Sequence, residues 1–239
     1  MYSPVRSTAL VLALGLGLAL AGCSKGTTPT PASGPARAHT VSGPRAALTS
    51  ARLDLATGTD SVVVTSADLG DALYQASTPA NSRQVPLETS NGDAVTVSLA
   101  DVSGAGPAQV DIVLSSHVSW AISFDAGASA ERVDLTGAHL RALTFAAGAS
   151  SITALLPAPV GDVPVLMQGG ASSFLIQTPA GVPYQVSFGG GAGSASIEGG
   201  VHSGVAGGTV ISSPSWNTAV NRYTIDNSAG VSAFTLAAH

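Results

Sequence analysis

Apolar residues alternate with small polar ones along most of this chain, and glycine sets a longer beat over the alternation. Glycines followed by small residues recur at Gly106, Gly127, Gly148, Gly170 and Gly191, with successive spacings of 21, 21, 22 and 21 residues. Five and three residues before these glycines stand Ile122 and Phe124, Leu143 and Phe145, Val165 and Met167, Val186 and Phe188. Four and six residues after stand Val110 and Ile112, Ile152 and Ala154, Phe174 and Ile176, Ala195 and Ile197. The unit at Gly127 reads as two residues longer, with Val133 and Leu135 in those places. Gly58 carries the same register through Leu53, Leu55, Val62 and Val64. Gly230 carries it through Ile225, Phe234 and Leu236, with Asn227 breaking the pattern.

Offsets of two on each side of a bend predict two short strands per unit, each with one face inward. Units repeated at this period stack. The expected fold is all-β, a single-stranded parallel β-helix (solenoid) of about 21 residues per coil, right-handed as parallel crossovers nearly always are. Its inward rows would run Ile122, Leu143, Val165, Val186 and Phe124, Phe145, Met167, Phe188. Each glycine is free to take positive φ and, with the small residues after it, suits a tight corner where successive coils approach closely, as in Gly127-Ala128-Ser129. A β-sandwich would share the local texture, but nothing in a sandwich holds one glycine offset through five units. Residues 66–90, with Tyr74 and Pro86, read as a side excursion, and residues 199–222, with Trp216, as a wrap over the last coil.

The N-terminus follows another pattern. After Met1–Arg6 the run Ser7–Leu20 is apolar, too short to span roughly 30 Å of hydrocarbon, and has the form of a secretory signal. It closes on Leu20-Ala21-Gly22-Cys23, which resembles the lipobox of bacterial lipoprotein precursors. That resemblance implies a signal peptide over residues 1–22 and lipidation (diacylglycerol, palmitate) of Cys23. The expected location is the cell membrane, anchored by lipid on its extracytoplasmic face. Residues 23–46, rich in Thr, Pro, Gly and Ser, read as a flexible linker, and 47–239 as the β-helix domain. Cys23 is the only cysteine, so an internal disulfide is excluded.

Charge narrows the partners. Residues 47–239 hold five arginines against all fourteen acidic residues, a formal charge of −9. That excludes nucleic acid, whose phosphates need clustered basic side chains. The membrane, through the lipid, and an envelope protein or glycan remain as partners.

The order Trp120-Ala121-Ile122, Val133-Asp134-Leu135, Gly148-Ala149-Ser150, Gly169-Gly170-Ala171-Ser172, Pro179-Ala180-Gly181-Val182-Pro183 and Asn221-Arg222-Tyr223-Thr224-Ile225 resembles the β-helical adhesin-like domains. These are similar to the C-terminal toast-rack domains of Lia-type envelope-stress regulators. The resemblance spans roughly residues 50–237 and implies a non-catalytic envelope module. Lia-type regulators carry transmembrane helices ahead of this domain, where a lipid anchor is expected here.

Candidate chemistry is sparse. Gly189–Gly193 lacks the lysine of a phosphate cradle, and Ala195 stands where a calcium-binding turn wants Asp. His117, His139 and His202 lack metal-ligand spacing, and Ser116, His117 and Ser119 lack a nucleophile elbow. Asp125, Glu131 and Asp134 form the best carboxylate group, with Asp134 directed outward, facing Arg132 or Arg141 on neighbouring coils. Trp120, Trp216, Tyr184 and Tyr223 could stack on sugars if they shared a face, and Arg222 is expected to pair with an acid near the C-terminal end. The expectation is therefore no catalytic, cofactor-binding or metal residues. The chain would be an adhesin-like module that works by binding. Sensing through a membrane kinase and glycan-active catalysis stand as alternatives.

Overall fold

A computed structural model describes residues 38–239, so the proposed signal and Cys23 lie outside the described residues. In chain order the first strands are β1 (His39–Pro44), β2 (Ser50–Leu55), β3 (Thr59–Ala67), β4 (Ala72–Thr78), β5 (Gln84–Asn91), β6 (Ala94–Asp101) and β7 (Gln109–Ser115). Next come β8 (Ser119–Phe124), β9 (Ala128–Asp134), β10 (His139–Phe145), β11 (Ala149–Leu155), β12 (Asp162–Met167) and β13 (Ala171–Thr178). The last are β14 (Tyr184–Phe188), β15 (Ala192–Ile197), β16 (Gly200–Val205), β17 (Thr209–Ser212), β18 (Arg222–Asn227) and β19 (Val231–Ala238). A single 3-10 turn, Trp216–Thr218, interrupts the strands.

These strands form two open mixed sheets. One runs β1-β4-β7-β3-β9-β11-β13-β19-β15-β16, and the other β17-β14-β18-β12-β10-β8-β2-β6-β5. In both, the central strands are parallel, and the strands added at the ends, β1 and β4, β5, β16 and β17, are antiparallel. Each glycine-centred unit contributes one strand to each sheet, and the inward faces share one core. All five phenylalanines are buried in it. Phe124 stacks on Phe145 with centroids 5.1 Å apart, and Phe145 meets Phe174 of the other sheet edge-on at 5.5 Å. Aromatic contacts of this geometry add stabilisation beyond the area they bury.

The register expected from the repeat is observed, but the order of units is not. Leu143 pairs with Ile122 and Val165, and Phe145 with Phe124 and Met167. Beyond β12, however, the neighbour is β18, not β14. Val165 pairs with Ile225 and Met167 with Asn227, which separate them from Val186 and Phe188. At the other end β2 and β3 lie between β6 and β8 and between β7 and β9. The units thus stack in the order Gly106, Gly58, Gly127, Gly148, Gly170, Gly230, Gly191. This corrects the expectation of one β-helix wound in chain order. A 21-residue unit can skip a place because the five residues between β13 and β14 are enough to cross two strand spacings, about 9.6 Å.

Two further corrections concern single residues. The Gly127 unit is not longer than the others: Val62 and Ile152 both pair with Glu131, and Val64 and Ala154 with Val133. Glu131 therefore occupies an inward slot. The positive φ open to the corner glycines is also not taken at Gly58, Gly127, Gly148, Gly170 or Gly230, while Gly191 takes it. The close approach expected at such corners is what Gly58, Gly127, Gly148 and Gly170 show. A Cβ on Gly127 would lie 2.6 Å from the Gly148 carbonyl oxygen, and one on Gly148 would lie 2.9 Å from that of Gly170.

The excursions seal the ends of the stack. β4 and β5 cover the Gly106 unit, burying Tyr74 and Pro86, and β16 and β17 cover the Gly191 unit. Strand β1 pairs with β4 through the stretch expected to be linker, so the folded body reaches to His39, ahead of residue 47.

Candidate functional site

Three carboxylates were the best chemical candidates, and they point three ways. Asp125, just past β8, is exposed and accepts a hydrogen bond from the Ser123 hydroxyl. Asp134 is on the outer face of β9 and accepts from the Thr136 hydroxyl at 2.8 Å, with no ion pair to Arg132 or Arg141. Glu131 is 2% exposed and faces the core. Neither of its carboxyl oxygens has a hydrogen-bond partner. Burial alone pushes this carboxyl up to about 8, because a charge in an apolar interior loses its hydration. Below that pH it is a neutral acid lodged between Val62 and Ile152.

Asn227 is the second polar intruder in the inward columns. It is fully buried between Met167 and Phe188, and its amide nitrogen donates to the Ser187 carbonyl at 3.2 Å while its side-chain oxygen has no partner.

The outer surface carries a built corner around Arg222. Its guanidinium donates to Asp162 from Nε at 3.1 Å and from one terminal nitrogen at 2.9 Å. The other terminal nitrogen donates to the Trp216 and Ala219 carbonyls, and the group stacks 4.2 Å above the Trp216 ring. Thr224 donates to the other Asp162 oxygen at 2.6 Å. Partial burial would raise the Asp162 carboxyl, but the bonds from Thr224 and Arg222 outweigh it and hold the group below its ordinary range. The expected acidic partner of Arg222 is therefore Asp162. On the neighbouring loops Val160 and Val220 are 77% and 79% exposed, and the Gly161 amide donates to Asn221 at 2.8 Å.

The remaining candidates are dispersed. Trp120 is wholly buried and donates to the Ser115 carbonyl at 2.9 Å. Tyr223 is buried with its hydroxyl on the Pro157 carbonyl at 2.7 Å, and Tyr184 donates to Glu198. These aromatics do not share an exposed face with Trp216. His117 pairs with Asp68 at 3.1 Å on the surface, while His139 and His202 are exposed. Gly189–Gly193 is a corner where the chain packs against Gly230 and Gly207. Among the described residues no cluster of three metal-ligating side chains forms, and no helix is long and apolar enough to cross a membrane.

Residues 34–177 match the model of the N-terminal domain of toast_rack, DUF2154, which is more than half of the chain. The chain belongs to the toast-rack family. Its fold resembles the crystal structure of a candidate cell adhesion protein from Clostridium sporogenes. The TM-score is 0.57 at 12% identity, covering 85% of this chain and 99% of that one. A candidate adhesin from Bacteroides fragilis is matched over 84% of this chain and 97% of that one, at 10% identity and a TM-score of 0.26, too low to bear on the fold. No curated protein matches. In this toast-rack chain the matched segment runs from the N-terminal edge strand to β13. The inserted Gly230 unit, with Arg222 and Trp216, lies beyond it, while Asp162 and the inserted Gly58 unit lie within it.

The position of Glu131 was missed at the level of sequence, although a signal was available. It stands four residues after Gly127, the inward offset of every other unit, and its charge led to a reading of a longer unit instead.

Proposed function

We propose that this toast-rack protein is a lipid-anchored, extracytoplasmic β-solenoid that binds another envelope component and does no chemistry. The observation that carries this reading is the fate of the acidic candidates. Glu131 is sealed in the core, and Asp125 and Asp134 are engaged with neighbouring hydroxyls on separate faces, so no two of them can act on one substrate atom. Catalysis needs such convergence in a pocket. The outer strand faces instead present backbone-fixed rows of short side chains, a surface suited to a protein or glycan with a repeating contour. The family membership and the fold shared with a candidate cell adhesion protein support the same reading.

The anchor follows from Leu20-Ala21-Gly22-Cys23. Cells fed an alkyne-tagged fatty acid should label the wild-type chain and leave Cys23→Ser unlabelled. Photocrosslinking in intact cells from the Arg222 corner and from the outer face of β11, followed by mass spectrometry, should recover a recurrent envelope protein or glycan. Turnover of purified cell-wall or capsular polymer by the protein, lost in Asp125→Ala, would contradict the proposal and favour the enzyme.

A further inference from the structure

The stack divides into two blocks that are each continuous in sequence, residues 39–115 and 119–239. Along one sheet β3 is the last strand of the first block and β9 the first of the second. Along the other, β2 meets β8. Between the blocks the chain crosses once, through residues 116–118, and no segment threads back. The blocks can therefore part along this line without either losing its own strand pairing. The lines on either side of the Gly148 unit are also crossed once by the chain, but the Phe124–Phe145 and Phe145–Phe174 ring contacts span them, whereas among the described residues no ring pair spans this one.

Glu131 is located at this joint. It is on β9, the strand that closes the second block, and its Cα partner across the joint is Val62 of β3. Its Cα partners on both sides are apolar, Val62 of β3 and Ile152 of β11, and the inward residues of β2, β8 and β10 belong to the same buried apolar cluster that it faces. The charged groups on those elements do not reach it. Asp60 pairs with Arg83, and Arg52 with Asp54 on the outer face; His139, Arg141 and Arg132 are exposed, and β8 and β11 carry no ionisable side chain. On β7, beyond β3, Asp111 accepts from Gln109. With no cation and no donor, the carboxyl can ionise only by gaining water, and the nearest separable surface is the joint.

We propose that the line between β2–β3 and β8–β9 is a pH-sensitive joint, closed while the Glu131 carboxyl is protonated and loosened when it ionises. Opening would free the edges of β3 and β9, two parallel strands able to accept an added strand. The direction follows from the shifts in each state. An unfolded or opened carboxyl ionises near 4.5 and the closed one near 8. The closed form binds more protons between those values, so its advantage is complete below the first, falls as pH rises through the window, and is fully lost above the second. The opening constant should rise by close to tenfold per pH unit at most within that range.

Hydrogen exchange on the full chain in detergent, corrected for intrinsic rates, tests this. The amides of Asp125, bonded to the Leu55 carbonyl, and Ser119, bonded to that of Thr49, cross the joint. Those of Gln168 and Leu156, bonded to Phe145 and Gln177, lie within the second block. From pH 5 to pH 9 the joint amides should gain more than a hundredfold in opening while the others gain less than tenfold. Glu131→Gln, neutral and of the same shape, should hold the joint amides within about threefold. Glu131→Leu should do the same, and serves if the glutamine variant folds poorly. An undiminished rise in either variant, or an equal rise in both sets of amides of the wild type, overturns the proposal.

Discussion

The units at Gly127, Gly148 and Gly170 stack in the order the chain makes them, whereas those at Gly58 and Gly230 are slotted one place in from the two ends. The two kinds of region share the same glycine offsets and the same inward columns. Periodicity therefore sets which residues of two units face each other, but not which units are neighbours. Neighbour order goes with the excursions and not with linker length, since three residues between β7 and β8 and five between β13 and β14 each skip a place. The consecutive units are joined by corners of four to six residues, while the displaced ones are joined to the chain through the β4–β5 and β16–β17 excursions. Those excursions, together with β1 outside β4, supply the antiparallel edge strands, and blunted edges resist uncontrolled pairing.

The largest test of this contrast is a truncation in the sequential centre. Phe145→Ala removes a ring held by Phe124 and Phe174 and should cost about 3–5 kcal/mol in urea unfolding. A loss under about 1 kcal/mol would show the centre to be no better packed than a loop.

Next come the corners. Gly127→Ala would drive a methyl to 2.6 Å from a carbonyl oxygen, costing roughly 1–3 kcal/mol, whereas Gly230→Ala, at 3.5 Å, should cost less than about 1. Equal losses at both would remove the difference between centre and end. Asn227→Leu sharpens the contrast from the other side. It removes an unpartnered buried oxygen from the inserted unit, and a gain of about 1 kcal/mol is expected, provided the Ser187 carbonyl that loses its donor reaches water. If stability falls instead, the amide is what holds β18 in register.

The smallest effects are on the surface. Arg222→Ala breaks the bonds to Asp162 and the stack on Trp216 and should cost about 1 kcal/mol, while Arg52→Ala, losing one exposed pair with Asp54, should cost less than about 0.5. The Asp162 contribution runs with pH in the opposite sense to that of Glu131. Its carboxyl is held low in the fold, so the stabilisation is present above the ordinary carboxylate value and is lost as pH falls through the depressed one.

Much of this architecture was legible in the chain. The Phe124 and Phe145 column, the strand pair around each glycine and the capping excursions all follow from alternation plus a 21-residue beat. The displaced units were not legible, because Ile225 satisfies the same slot as Val186 and no local rule says which of the two should touch Val165. Gly127 was assigned to the right corner for two reasons, of which only the close approach of the next coil operates. A sequence shows that glycine is needed but not whether φ or a neighbouring carbonyl demands it. Glu131 was hidden by its own chemistry, since charge is the usual mark of an outward residue.

The order of units is the claim on which the joint and the inserted coil both depend, and crosslinking measures it directly. In a Cys23→Ser background, cysteines replacing Leu175 and Thr235, which face each other on β13 and β19, should form a disulfide on mild oxidation, as should Thr235 with Ser196. Cysteines at Leu175 and Ser196, two strand spacings apart at about 9.6 Å, should stay reduced. Efficient linkage of Leu175 to Ser196 with none to Thr235 would mean the chain stacks in simple succession, contradicting the account.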